Sequence, residues 1–155
     1  MLTRVLFALV LIGGTAAAFA LALPISHEAS ADSSPGQEAA KLLAFGLTDH
    51  EVTAEELEKG TPLRAPHFNT PAMAYVWAAN LKQGDVVEIA LKNGEKLVVR
   101  NEETLDGDKP KYLLLAGKRG VPPGGWPEGT YHAALKITRD GKPLISETTK
   151  SIELN

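Results

Sequence analysis

The chain contains no cysteine among its 155 residues. That excludes disulfides, thiol nucleophiles, thiolate metal ligands and a lipid-modified N-terminal cysteine. An oxidising compartment permits disulfides without requiring them, so core packing alone must hold the fold. Aromatic residues make up 6% and only four histidines occur, never as H-x-H or H-E-x-x-H. No rigid element therefore presents the paired ligands that zinc sites use. The nucleophile elbow G-x-S-x-G is also missing, which removes that route to serine catalysis. The net charge of −3 comes with no clustered basic face, so nucleic acid is not an expected partner. No motif for a cofactor or a metal is present, and none is expected.

One long uncharged run does occur. Arg4 precedes an uninterrupted uncharged stretch from Val5 to Ile25, the layout of a secretory signal with a positive start and an apolar centre. Ala29-Ser30-Ala31 fits the small-x-small cleavage pattern, and Ala20-Leu21-Ala22 offers a second site. The expected organisation is a signal peptide at 1–31, a flexible polar leader at 32–41 and one domain at 42–155. The expected address is the periplasm or the exterior. The alternative is an uncleaved inner-membrane anchor at residues 5–25, because about twenty apolar residues span a bilayer; only then would the membrane be a partner. Removing residues 1–31 from the 155 leaves 124, enough for a single domain with its own core.

Beyond the leader, LLAFGL (42–47) reads as a first strand. Thr53 with Glu56 forms a capping box, and Gly60 and Pro62 end the short helix it starts. From Ala72 the pattern turns to period two. VVEIALK puts Val87, Ile89 and Leu91 on one face, and Asn93-Gly94 predicts the two-residue turn of a hairpin spanning 85–100. The unbroken run Tyr112 to Ala116 suggests a strand buried on both faces. TYHAALKITR alternates Tyr131, Ala133, Leu135 and Ile137 inward; Asp140-Gly141 signals another hairpin, and Leu144, Ile152 and Leu154 close the chain on one face. Trp77 is expected in the core. About seven short strands with scarcely any helical period predict an all-β, antiparallel Ig-like β-sandwich, with a small barrel as the alternative.

The stretch VPPGGWPEGTY (121–131) is the densest cluster of special residues. Its prolines and glycines suffice for a turn that stops one strand and starts the next. On that reading Trp126 plugs the end of the core and Tyr131 occupies the place of a tyrosine corner. The other reading is a binding rim, with Trp126 as its aromatic anchor. Lys109, Lys111, Lys118 and Arg119 bracket the Tyr112 strand and are candidates for meeting an anionic glycan or head group; as flanking charges they also keep a sticky strand soluble. Acidic pairs at Glu102-Glu103 and Asp106/Asp108 supply the carboxylates that a glycosidase would need. The remaining ligand positions of a calcium loop do not follow Asp106.

The run from Lys111 to Lys142, with G-K-R, a Pro-Gly-rich turn, W-P-x-G-x-Y, an alternating strand and D-G-K, resembles a small Ig-like or fibronectin-like sandwich module of proteobacterial envelope proteins. It is similar to the accessory domain attached to peptidoglycan peptidases of the M23 class. Those enzymes carry H-x-x-x-D and H-x-H zinc ligands on a separate domain, and neither motif occurs here. The resemblance therefore implies the accessory module without the enzyme. The expected function is a non-catalytic interaction module that binds an envelope protein or peptidoglycan glycan. Two alternatives stand beside it: a small carbohydrate-active enzyme using loop carboxylates near Trp126, and a structural subunit pairing through a sheet edge.

Overall fold

Alternating side chains decide the architecture. In the computed structural model, which describes residues 38–155, Val87, Ile89 and Leu91 lie opposite Ile137, Leu135 and Ala133, and all six are buried. Each Leu or Ile so removed from water contributes about 1.5–3 kcal/mol, and the pairing places a continuous apolar layer on one side of the sheet. The signal peptide and most of the leader expected from the sequence lie outside the described residues. Among the described residues no helix is long and apolar enough to cross a membrane.

Eight strands and one short helix follow in order: β1 (Lys41–Thr48), α1 (Ala54–Glu58), β2 (Ala72–Leu81), β3 (Val86–Asn93), β4 (Lys96–Thr104), β5 (Lys109–Lys118), β6 (Gly129–Arg139), β7 (Lys142–Thr148) and β8 (Ile152–Leu154). They build two antiparallel sheets, β1-β2-β5 and β4-β3-β6-β7, with β8 pairing the start of β6. The fold is thus the all-β, Ig-like antiparallel sandwich expected from the sequence. Its core fills the space between Ala72, Ala74, Val76, Ala78 and Leu114 on one sheet and Val87, Ile89, Leu91, Leu135 and Ile137 on the other.

Turn chemistry sets two of the registers. Asp140 and Gly141 have φ of 51° and 75° between the paired Arg139 and Lys142, the two positive values that a type I′ hairpin turn requires. The β3–β4 turn is displaced from the expected Asn93-Gly94. Asn93 pairs with Lys96, so the two central residues are Gly94 and Glu95. A positive φ falls on Gly94 and neither neighbour, the signature of a type II′ turn.

Three expectations about faces need correction. β5 is not buried on both faces: Leu114 and Ala116 point into the core, whereas Leu113 and Leu115 on its outer face are only partly buried. On β7 it is Ile145 that lies opposite Ile137 and packs on the core, whereas Leu144 is exposed. Trp77 is buried, at 7% exposure, but its neighbours Val76 and Ala78 belong to the core cluster and it does not. By parity it faces the outer side of the β1-β2-β5 sheet, together with Met73 and Tyr75.

A cover accounts for that burial. Residues 49–71 cross from β1 to β2 and carry α1, whose capping box is formed: Thr53 N donates to Glu56 Oε2 at 2.8 Å and Glu56 N to Thr53 Oγ1 at 3.3 Å. Lys111 Nζ lies 5.8 Å from the Trp77 ring centroid and 2.7 Å from Glu58 Oε1, joining β5, the outer aromatic and the helix. Glu51 pairs with Arg119 at 2.8 Å. Val52 is fully buried.

Candidate functional site

The Pro-Gly stretch after β5 folds as a series of fixed turns. Gly125 N donates to Pro122 O at 2.9 Å, and Gly124 adopts φ of 81°. With Pro123 ahead of it, this is a type II turn, whose third position needs the left-handed backbone that glycine supplies. Trp126 then straps the stretch to the loop before β2. Its backbone N donates to Phe68 O at 2.8 Å, and its ring Nε1 to Thr70 O at 2.7 Å. A Cβ on Gly125 would lie 2.9 Å from the Phe68 ring, so that ring packs directly on the turn.

Trp126 is 5% exposed and belongs to the core cluster. Its ring meets Tyr131 edge to face, centroids 6.2 Å apart at 72°, a geometry that favours aromatic pairs. The Tyr131 hydroxyl donates to Pro127 O at 2.7 Å, four residues upstream at the start of β6. This is a tyrosine corner. Burial pushes the Tyr131 hydroxyl above its ordinary pKa of 10.0, keeping it protonated as a donor. Trp126 is therefore the plug over the end of the core.

Beside this plug opens a hollow of about 320 Å³. Its walls are Pro122, Pro123 and Pro127 from the turn and Leu97 and Val98 from β4, with Trp126 and Tyr131 lining it as well. Leu97 stands 51% exposed. Lys96 and Lys118 line the same hollow, and among the described residues neither makes an ion pair. An apolar wall with two uncommitted cations suits a ligand that combines apolar surface with an anionic group.

The five residues singled out from the sequence do not converge. Lys118 and Trp126 share the hollow. Arg119 is held by Glu51 and Lys111 by Glu58, while Lys109 pairs with Asp106 at 3.3 Å. Lys109 lies at the start of β5 and Lys118 at its end, about 30 Å apart along an extended strand. Lys96 and Leu97 were missed. The exposed apolar residue directly after a hairpin turn was the available signal.

The loop carboxylates are likewise dispersed and engaged. Asp106 and Asp108 precede β5, at the end of that strand opposite Trp126. The Asp108 carboxylate accepts from Gln83 N at 2.9 Å and from Lys82 Nζ at 3.2 Å, and the first of these holds its pKa below the ordinary 3.8. Glu102 pairs with Arg100, and Glu103 accepts from the Tyr112 hydroxyl. Burial, followed by that bond, raises the Tyr112 pKa. None of these acids lines the hollow beside Trp126. A second hollow, of about 530 Å³, lies near Asp108 and is bordered by Glu38, Asn80, Lys82 and Lys109. Its two lysines are already paired with Asp108 and Asp106.

His50 is bonded to Asp49 at 2.7 Å and lies 3.4 Å from Glu56. His67 contributes backbone bonds to Thr70, and His132 stands on the outward face of β6. Among the described residues no group of three or more His, Cys, Asp or Glu side chains could hold a metal ion. No protein-family model matches the chain, and a search of curated proteins finds no match either.

Proposed function

We propose that this domain is a non-catalytic interaction module of the bacterial envelope, which holds a protein or cell-wall glycan partner in the hollow beside Trp126. The observation that carries the reading is the pairing of three rigid prolines and an exposed Leu97 with Lys96 and Lys118, two cations that form no ion pair among the described residues. Prolines and a hydrogen-bonded Trp126 lose little freedom when a partner seats, which favours affinity by preorganisation. The secretory pattern at the N-terminus supports the envelope address, and the resemblance to accessory sandwich modules supports the role. The dispersal of the loop acids, none of which lines the hollow beside Trp126, supports this reading over a glycosidase centred there.

The test is retention of the purified chain on sedimented peptidoglycan, run beside a pull-down from envelope extracts. Leu97→Asp and the double change Lys96→Glu, Lys118→Glu should each release the bound partner, while Lys136→Glu on the outer face of β6 should not. Failure of the unaltered chain in both assays would sink the proposal.

A further inference from the structure

The hollow beside Trp126 lies between the edges of the two sheets. β4 and β5 are edge strands of opposite sheets, and Asn101 on β4 donates to Leu115 O on β5 at 2.8 Å, which ties the two edges together. Three residues further along each strand, Val98 and Lys118 both line the hollow, so it fills the gap beyond that bridge. Backbone carbonyls on one side of a strand recur every second residue. The Gly117 carbonyl therefore faces the same edge as that of Leu115, with Lys118 next to it.

The lining is selective in its chemistry. Its charged residues are Lys96 and Lys118, with no acid among them; Glu95 and Glu128, the nearest acids in sequence, do not line it. Its other polar side chains are engaged already. Trp126 Nε1 donates to Thr70 O at 2.7 Å, the Tyr131 hydroxyl to Pro127 O at 2.7 Å and Asn93 Nδ2 to Glu128 O at 3.3 Å. The donors left for an occupant are chiefly the two ammonium groups. A sugar seated there would bury hydroxyls without partners, which costs free energy that apolar contact does not offset, and Trp126 at 5% exposure has no open ring face for it to stack on. What remains is apolar surface from Leu97 and three prolines beside two cations, the complement of an apolar group that carries a carboxylate.

We propose that the occupant is an extended acidic segment of a partner protein. It lays an apolar side chain against Leu97 and the prolines, sets an aspartate or glutamate within reach of Lys96 and Lys118, and donates a backbone amide to the open edge of β5. Main-chain bonds along a sheet edge with a side chain in an adjoining pocket are a recurring mode of peptide recognition. The proposal rests on the reading of the hollow as a partner site and narrows that partner from protein or glycan to polypeptide.

Selection of phage-displayed random linear peptides on the immobilised full chain tests it, followed by titration of the most enriched peptide after synthesis. Enriched sequences should carry Asp or Glu close to Leu, Ile or Phe. Lys118→Glu should weaken the synthesised peptide by about tenfold or more, because it sets like charges against each other at the contact. The double change Lys96→Glu, Lys118→Glu should turn the selection toward peptides bearing Lys and Arg, while Lys136→Glu on the outer face of β6 should alter neither result. Enriched peptides that lack an acid, or a selection indifferent to the charge reversal, overturn the proposal. So does the absence of any enriched peptide, whatever else binds. Peptidoglycan that then holds the chain through Leu97 makes the hollow a glycan site, and vesicles of phosphatidylglycerol that hold it through Lys96 and Lys118 make it a lipid contact. If peptides, peptidoglycan and envelope extracts all fail to bind, the reading of the hollow as a partner site falls as well.

Discussion

The Arg139 guanidinium grips the Asp85 carboxylate with two parallel bonds, Nε to Oδ1 and Nη2 to Oδ2, each 2.8 Å. Asp85 has no solvent exposure, and its Oδ2 also accepts from Lys82 N at 2.8 Å. The pair joins the turn that enters β3 to the last residue of β6, tying the ends of adjacent strands in the five-stranded sheet. Removing the cation would leave a buried charge uncompensated, a loss of about 3–5 kcal/mol in comparable pairs. Arg139→Ala should therefore lower the urea midpoint sharply. Arg139→Lys should recover only part of it, because an ammonium cannot make the two-pronged contact.

The same contact gives the fold an acid limit. The Arg139 bonds hold the Asp85 carboxyl below its ordinary 3.8, and His50 does the same for Asp49. A carboxyl depressed in the folded state contributes stability that is fully present above the unfolded value and lost as pH falls through the folded one. Stability measured by urea unfolding should thus be level on the neutral side and fall as pH drops below about 4. Asp85→Asn should be less stable at neutral pH and show a shallower acid slope.

Tyr131→Phe isolates the corner bond. The ring stays against Trp126 while Pro127 O loses its donor, and such a loss costs about 1–3 kcal/mol when the acceptor stays dry. A lowered melting temperature with unchanged near-ultraviolet dichroism is the expected result. If the melting temperature does not move, the hydroxyl is not what ties the turn to β6.

The sandwich was legible because its strands are amphipathic: Tyr131 to Ile137 alternate without error, and the face Val87, Ile89, Leu91 answers them across the sheet. Trp126 and Tyr131 were legible for a related reason, since the turn residues around them constrain the chain whatever their neighbours do. Trp77, Leu113 and Leu144 were not. Local alternation gives parity but not which parity is inside, and residues 49–71 cover the outer side of one sheet, so both faces of β2 carry apolar side chains. Leu144 went astray because it and Ile145 are equally apolar, and only pairing with Ile137 selects between them. The hollow was hidden further still: Lys96 and Leu97 adjoin Lys118 and Pro122 through tertiary packing across about twenty residues of sequence.

The crossing segment from Asp49 to Pro71 is held unevenly along its length. Its far end is clamped by the bonds from Trp126 to Phe68 and Thr70 and by the buried Pro66, and its near end by the fully buried Val52. Between them the tie from Glu58 to Lys111 on β5 is a solvent-exposed ion pair, worth little in water. The flap is a latch pinned at its two ends: the amides between the pins should exchange with solvent well before those of β3 and β6, and its opening sets how often the indole of Trp77 sees water.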